Sequence, residues 1–368
     1  MEFKAKREDF LTALYWSQST VERRTTMPIL ANVLIEFNNG NARVTATDLE
    51  VGVRAKLNGE ILQEGAVTLN AKKLYEIVRE SGGGVIQLKR LENDWVEIKS
   101  GKSVFKMVGL DAKDFPSFPE FDVEHLFPVP AKVMKEMIDK TIFAVSTDET
   151  RSNLNGAFLE EGEGGKLRMV ATDGHRLALI ERVVGTLGLA KGVILPRKGL
   201  AELKRLLEES EDGVAQFGFK ENVVSVVRGD VELFMRLSET DFPDYSKVIP
   251  KENPYIVRVE QRGFLQALKR VSILSSERYK GIRIEVKPEN MSISANNPDL
   301  GEAVEELEIE YKGKALAVGF NARYLIDVLS VLGDERDVAI EMKDELSPSL
   351  LRKDGDDGYL YVVMPMKL

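Results

Sequence analysis

Apolar and polar residues alternate in short runs along most of this chain, and each group of runs is introduced by a stretch with helical spacing. Residues 2–5 have the two-residue period of a strand, and 7–20 place Phe10, Leu11 and Leu14 on one face of an amphipathic helix. Alternating runs follow at 32–37, 42–47 and 51–57, the first two separated by the turn-forming Asn38-Asn39-Gly40. The plan then restarts. Residues 66–69 read as a strand, 71–80 as a helix stopped by Gly82-Gly83-Gly84, and 85–91, 95–99 and 103–108 as strands. Successive strands joined by tight turns imply antiparallel sheets, so the pattern predicts an α+β fold rather than a doubly wound parallel sheet.

This strand–helix–three-strand plan, used twice, recurs at a period of about 125 residues. Ala46-Thr47-Asp48 and Ala171-Thr172-Asp173 each end one alternating run and precede another, and Ala295-Asn296-Asn297 holds the third place. Two further sets of landmarks keep step. One is Leu69-Asn70-Ala71, Leu195-Pro196-Arg197 and Phe320-Asn321-Ala322; the other is Asp9-Phe10-Leu11, Lys135-Glu136-Met137 and Gly263-Phe264-Leu265. The period is too long for a solenoid unit and suits three domains of one fold, at 1–120, 128–246 and 247–368. Pro-rich stretches separate them: Phe115-Pro116-Ser117-Phe118-Pro119 with Phe127-Pro128-Val129-Pro130, and Phe242-Pro243-Asp244-Tyr245 with Pro250 and Pro254.

Composition narrows the function classes. The chain begins on charged, strand-like residues with no signal-peptide core, and it has no run of 18 apolar residues, so a cytoplasmic protein with no membrane span is expected. There is no cysteine, and the only histidines, His125 and His175, are 50 residues apart, so nothing implies a metal site or another cofactor. A net charge of −9 argues against a nucleic-acid partner until its distribution is examined. The six predicted helices with their flanking residues, 6–24, 69–80, 131–140, 196–209, 261–270 and 320–332, carry 18 basic and 11 acidic residues, a surplus of +7, which leaves −16 (−9 − 7) on the rest of the chain. Were all six to share one face, that face would attract phosphate while the outside repelled it. No aromatics are interleaved for base stacking, which favours sequence-neutral backbone contact.

One segment resembles a catalytic one. Asp173 and His175, in Thr172-Asp173-Gly174-His175-Arg176, are close enough to share a proton. Turn chemistry is the better reading, because Asp bonds its own backbone and Gly accepts positive φ; the matching turn of the first repeat has no histidine. No nucleophile context or phosphate-cradling loop accompanies it, so a non-enzymatic protein is expected. The alternatives are a three-domain enzyme using Asp173 and His175, and a monomeric peptide-binding scaffold.

The same segment, with Met27-Pro28-Ile29-Leu30-Ala31-Asn32, Leu154-Asn155-Gly156, Pro196-Arg197-Lys198-Gly199, Phe242-Pro243-Asp244-Tyr245, Ala295-Asn296-Asn297-Pro298 and Tyr361-Val362-Val363-Met364-Pro365-Met366, resembles the bacterial DNA polymerase III beta subunits, the sliding clamps. The resemblance covers essentially the whole chain. It implies three clamp domains per subunit, closed head to tail into a homodimeric ring whose twelve helices line a hole for double-stranded DNA. Positions matching the DNA-facing ones are Arg24, Lys72, Lys73, Arg197, Lys198 and Arg205. Residues 147–153 lack the family's usual glutamine and aromatics, and Arg151 is the substitute there. The ring contact is implied at Phe105 and Met107 on an edge strand against Ile273 and Leu274 on a helix. A pocket between the second and third domains, implied at Leu154, Thr172, Gly174, His175, Arg176, Leu177, Pro243, Val248, Val362, Met364, Pro365 and Met366, would take short peptides. These would come from the replicative polymerase, the clamp loader and repair polymerases. Lys247 stands where an arginine is common.

Overall fold

The computed structural model describes residues 1–21, 27–118, 121, 126–208, 212–333 and 337–367. Six helices follow the predicted plan: α1 (Arg7–Ser17), α2 (Ala71–Glu80), α3 (Ala131–Asp139), α4 (Arg197–Glu208), α5 (Gln261–Val271) and α6 (Ala322–Val331). Their starts are chemically marked. The Asn70 side chain accepts from the Lys73 amide (3.0 Å), Asn321 from Arg323 (2.9 Å), and Glu260 from both Arg262 and Gly263, each satisfying otherwise orphaned first-turn amides. α1 has no capping side chain. Arg7 instead donates from Nε to the Val78 carbonyl (3.1 Å), which ties it to α2.

The chain divides into two compact units, one made of 1–131 and 201–237, the other of 132–200 and 238–368. The first contains a five-stranded sheet in the order Glu60–Gln63, Glu2–Lys6, Val85–Arg90, Trp95–Ser100, Ser103–Val108. Its second sheet has eight strands: Phe127–Pro130, Val214–Lys220, Val223–Arg228, Val231–Arg236, Val51–Lys56, Asn41–Thr47, Asn32–Asn38 and Gly65–Asn70. The other unit repeats the scheme. An eight-stranded sheet runs Val193–Pro196, Gly156–Glu161, Lys166–Thr172, Arg176–Val183, Tyr359–Val363, Ser349–Lys353, Asp337–Met342, Tyr255–Glu260, and a four-stranded one runs Gly301–Glu308, Asn290–Asn297, Gly281–Lys287, Leu316–Asn321. Every pairing is antiparallel, as the turn lengths predicted.

Four features were not predicted. The strand Glu60–Gln63 is additional, and α1 ends three residues short of the predicted 20. The strand leading each half-repeat does not pair with the three strands that follow its own helix: Glu2–Lys6 joins Val85–Arg90, while Gly65–Asn70 joins Asn32–Asn38. The sheets also run across repeat boundaries. Val51 pairs with Met235 and Val53 with Leu233, while Leu177 pairs with Val362 and Ile180 with Tyr359. Leu177–Ile180 and Leu233–Met235 are buried on both faces of their strands, whereas Val51–Lys56 buries Val51, Val53 and Ala55 on one face and carries Arg54, paired with Glu232, on the other.

Candidate functional site

Where Arg176–Val183 meets Tyr359–Val363, a cleft of about 160 Å³ opens. Buried Leu177 and Val362 form its floor, Leu154 closes one side, and the second Pro-rich segment forms a wall with Pro243, Asp244, Tyr245 and Val248. Met364 stands at the rim, more than a third exposed. Beneath lies an apolar cluster of Val170, Leu177, Leu179, Leu350 and Val362, against which Phe158 and Phe242 stack with ring centroids 5.0 Å apart. An open groove of about 920 Å³, lined by residues 246–253 with Lys343, Ser347 and Pro348, shares Val248 and Met364 with the cleft and extends it.

The turn at the mouth holds itself together. Thr172 Oγ1 donates to the Arg176 carbonyl (2.6 Å) and accepts from the Gly174 amide (3.1 Å); Asp173 Oδ1 accepts from the amides of His175 (2.9 Å) and Arg176 (3.1 Å). Gly174 has φ of +88°, a conformation side chains rarely tolerate. Arg176 is 9% exposed yet fully engaged: Nε donates to Asp173 Oδ2 (3.0 Å), Nη1 to Asp327 Oδ2 (2.7 Å) and Nη2 to the Phe143 carbonyl, while the guanidinium lies 4.5 Å from the Tyr324 ring centroid. Burial disfavours its charge, but Tyr361, Asp327 and Asp173 outweigh that effect and hold its pKa above the ordinary arginine value. The His175 ring stacks towards Tyr324 (6.4 Å) and is exposed. With both Asp173 oxygens already accepting from backbone amides and Arg176, the carboxylate is committed to the turn and is not oriented to serve the His175 ring.

Tyr245 fixes the opposite wall. Its hydroxyl donates to Glu160 and accepts from Arg168 Nη1 (2.9 Å), and Arg168 in turn reaches Glu160 (3.0 Å) and Glu181 (2.7 Å). Burial, then the Glu160 carboxylate, push the Tyr245 hydroxyl's pKa up, so it remains a donor. Lys247 is largely exposed and pairs with Asp244 (3.1 Å).

The chain aligns with three successive family models: the N-terminal domain of DNA polymerase III beta subunit over 1–119, the central domain over 128–244 and the C-terminal domain over 246–367. The chain belongs to the DNA polymerase III beta subunit family. It is 37% identical to the beta sliding clamp of Pseudomonas aeruginosa and 36% to that of Caulobacter vibrioides, covering all of both chains in each case. A solved sliding clamp from Bartonella birtlesii, bound to griselimycin, superposes with a TM-score of 0.94 at 35% identity over the full length of both chains. The fold is thus that of three clamp domains built on antiparallel sheets.

Against this family frame, ten of the twelve expected pocket residues line the cleft, from Leu154 through Thr172, Gly174, His175, Arg176, Leu177, Pro243, Val248 and Val362 to Met364. Pro365 and Met366 do not. The chain turns away after Met364, and the Met366 amide donates to the Gly319 carbonyl (2.9 Å). Asp244 and Tyr245 line the cleft and were not anticipated, although the aromatic at the end of Phe242-Pro243-Asp244-Tyr245 was the available signal. Among the residues expected to face DNA, Lys72 and Lys73 are exposed on α2, with Lys73 2.8 Å from Glu76. Arg197 is exposed at the start of α4 and Lys198 half-buried. Arg205 is a correction. Its guanidinium lies 4.6 Å from the Trp16 ring and 5.0 Å from Tyr15, donates to the Trp16 carbonyl (3.0 Å) and pairs with Glu202 (2.8 Å), so it fastens α4 to α1 rather than presenting charge. Arg151 is half-exposed, with Nη1 3.4 Å from the Asp173 carbonyl, and so sits over the pocket turn. Arg24 and His125 lie outside the described residues. Phe105 and Met107 occupy the edge strand Ser103–Val108, with Phe105 exposed and Met107 half-buried. Ile273 (73% exposed) and Leu274 lie on the single 3₁₀ turn Ser272–Leu274 that follows α5, not within the helix itself.

Proposed function

We propose that the chain is a DNA sliding clamp: a non-catalytic ring of two subunits that encircles duplex DNA in the cytoplasm and carries partner proteins along it. The observation that carries this reading is the match of three consecutive clamp domains over 1–119, 128–244 and 246–367. Its three domains are assigned to 1–120, 128–246 and 247–368. Lys72, Lys73, Arg197 and Lys198 supply cations for loose phosphate contact, and the acidic remainder discourages random adsorption. Non-directional contacts of this kind let a closed ring slide, so retention depends on topology rather than affinity.

The cleft beside Leu177 and Val362 receives one or two apolar side chains of a partner peptide, and the adjoining groove takes its flanking residues. Met364 supplies an adaptable rim, while the Arg176 network keeps the opposite side rigid. The solved relative bound to griselimycin supports a peptide-like ligand as the chemical class. Replicative and repair polymerases and the clamp loader are the partners that this arrangement serves.

Retention after loading by a clamp loader, at salt high enough to suppress ionic binding, tests the reading. Retention on circular DNA with loss from linearised DNA is expected. Equal loss from both would refute topological linkage and leave a peptide-binding scaffold in its place.

A further inference from the structure

The other cross-repeat sheet junction, between Val51–Lys56 and Val231–Arg236, is built like the docking cleft. Thr47 Oγ1 donates to the Val51 carbonyl (3.0 Å) and accepts from the Leu49 amide (2.9 Å), and Asp48 Oδ1 accepts from the amides of Glu50 (3.0 Å) and Val51 (2.7 Å). These are the bonds of the Thr172–Arg176 turn, one for one. Beyond the junction, the Arg236 amide donates to the Glu50 carbonyl (2.8 Å), as that of Met364 does to His175 (2.9 Å). The wall is again a Phe-Pro-x-aromatic segment, Phe115-Pro116-Ser117-Phe118 in place of Phe242-Pro243-Asp244-Tyr245.

The difference lies in what fills it. Gly52 stands opposite Phe234 in the ladder, as Leu177 stands opposite Val362. With no side chain at Gly52, the Phe118 ring enters that space: a β-carbon built on Gly52 would fall 2.0 Å from Phe118 Cζ. The ring stacks on Phe234, centroids 4.6 Å apart and planes 17° from parallel. About 70 Å³ of cleft remains, lined by Leu49, Pro116, Phe118 and Phe234 among others. In the open cleft Leu177 occupies the corresponding place, and the hydroxyl bonds of Tyr245 to Glu160 and Arg168 hold its ring at the wall.

We infer that the first junction is a second copy of the docking pocket, plugged by the chain's own Phe118, and that its site accepts an aromatic side chain once that ring is withdrawn. Phe118 is thus an internal ligand. It restricts each chain to one open pocket and anchors the first linker at the same time. The comparison with the second junction borrows the docking reading for the open cleft only, so a probe of the cavity itself separates the two.

Iodobenzene is such a probe. Crystals of the full chain carrying Phe118→Ala, soaked in it, should show iodine over Phe234, and calorimetric titration should find one more site per chain than in the unsubstituted protein. Equal stoichiometry and no iodine at Phe234 would overturn the inference, whatever partner peptides do at the open cleft. Gly52→Ala provides a second route, since its methyl must evict the ring without deleting it. With 4-fluorophenylalanine in place of Phe118, the fluorine resonance should move to the position of a solvated ring on Gly52→Ala substitution. An unmoved resonance would mean that Phe118 is not held by that site.

Discussion

Arg176 and Arg205 both use their charge inside the protein. Both are largely removed from solvent, both lie over aromatic rings, and both are paired with carboxylates. Neither is positioned to meet a phosphate. Substituting Arg205 by Ala should therefore destabilise the protein by about 2 kcal/mol, by removing the cation from buried Glu202, the donor to the Trp16 carbonyl and the ring contacts, while altering DNA retention far less than Lys72→Ala with Lys73→Ala. Chemical denaturation and the circular-DNA assay measure the two quantities separately. Basic residues on amphipathic helices look alike in a sequence; the direction of Arg205 is decided by Tyr15 and Trp16, which are 189 residues away at the contacting carbonyl. The pocket turn was legible because its chemistry is local: Thr172 and Asp173 satisfy backbone groups within four residues, and Gly174 takes the positive φ.

At the scale of elements, the half-repeat plan could be read from hydrophobic period alone, whereas the exchange of leading strands could not. Periodicity tells which face of a strand is buried, not which neighbour completes its ladder. The elements around the second and third repeats are joined by an ion network as well as by their ladder. Lys140, 8% exposed at the end of α3, bonds Glu136 (2.8 Å) and Asp356 (2.7 Å), and Arg182 reaches the same two carboxylates (2.6 and 2.8 Å). Burial raises the pKa of both acids, but the hydrogen bonds from Arg182 and Lys140 outweigh it and leave both below their ordinary values of 4.5 and 3.8. Because the folded pKa values are depressed, this contribution is complete above about pH 4.5 and is lost as pH falls through the folded values. The melting temperature should drop in that range, and Glu136→Gln with Asp356→Asn should flatten the drop. Lys140→Ala should cost about 3 kcal/mol at neutral pH, since it leaves two partly buried carboxylates with one cation between them.

At the scale of the whole molecule, the strand Ser103–Val108 is an exposed sheet edge carrying Phe105, and Ile273 projects from the turn after α5. A free edge with an exposed aromatic invites pairing, and a head-to-tail contact between the first repeat of one chain and the third repeat of another would cover both patches and close after two subunits. Ile273→Ala with Leu274→Ala should convert a dimer of twice 41.2 kDa into a monomer in sedimentation and abolish retention on circular DNA. A dimer that survives both substitutions would place the interface elsewhere. The repeats themselves are not separable pieces, because Val51–Lys56 and Arg176–Val183 each pair on one side within their own repeat and on the other side with the neighbouring repeat. A fragment ending near residue 120 would leave Val51–Lys56 as a bare sheet edge and should aggregate when expressed alone. The sequence thus repeats along one set of boundaries, while the compact units of the fold, 1–131 with 201–237 and 132–200 with 238–368, are cut along another.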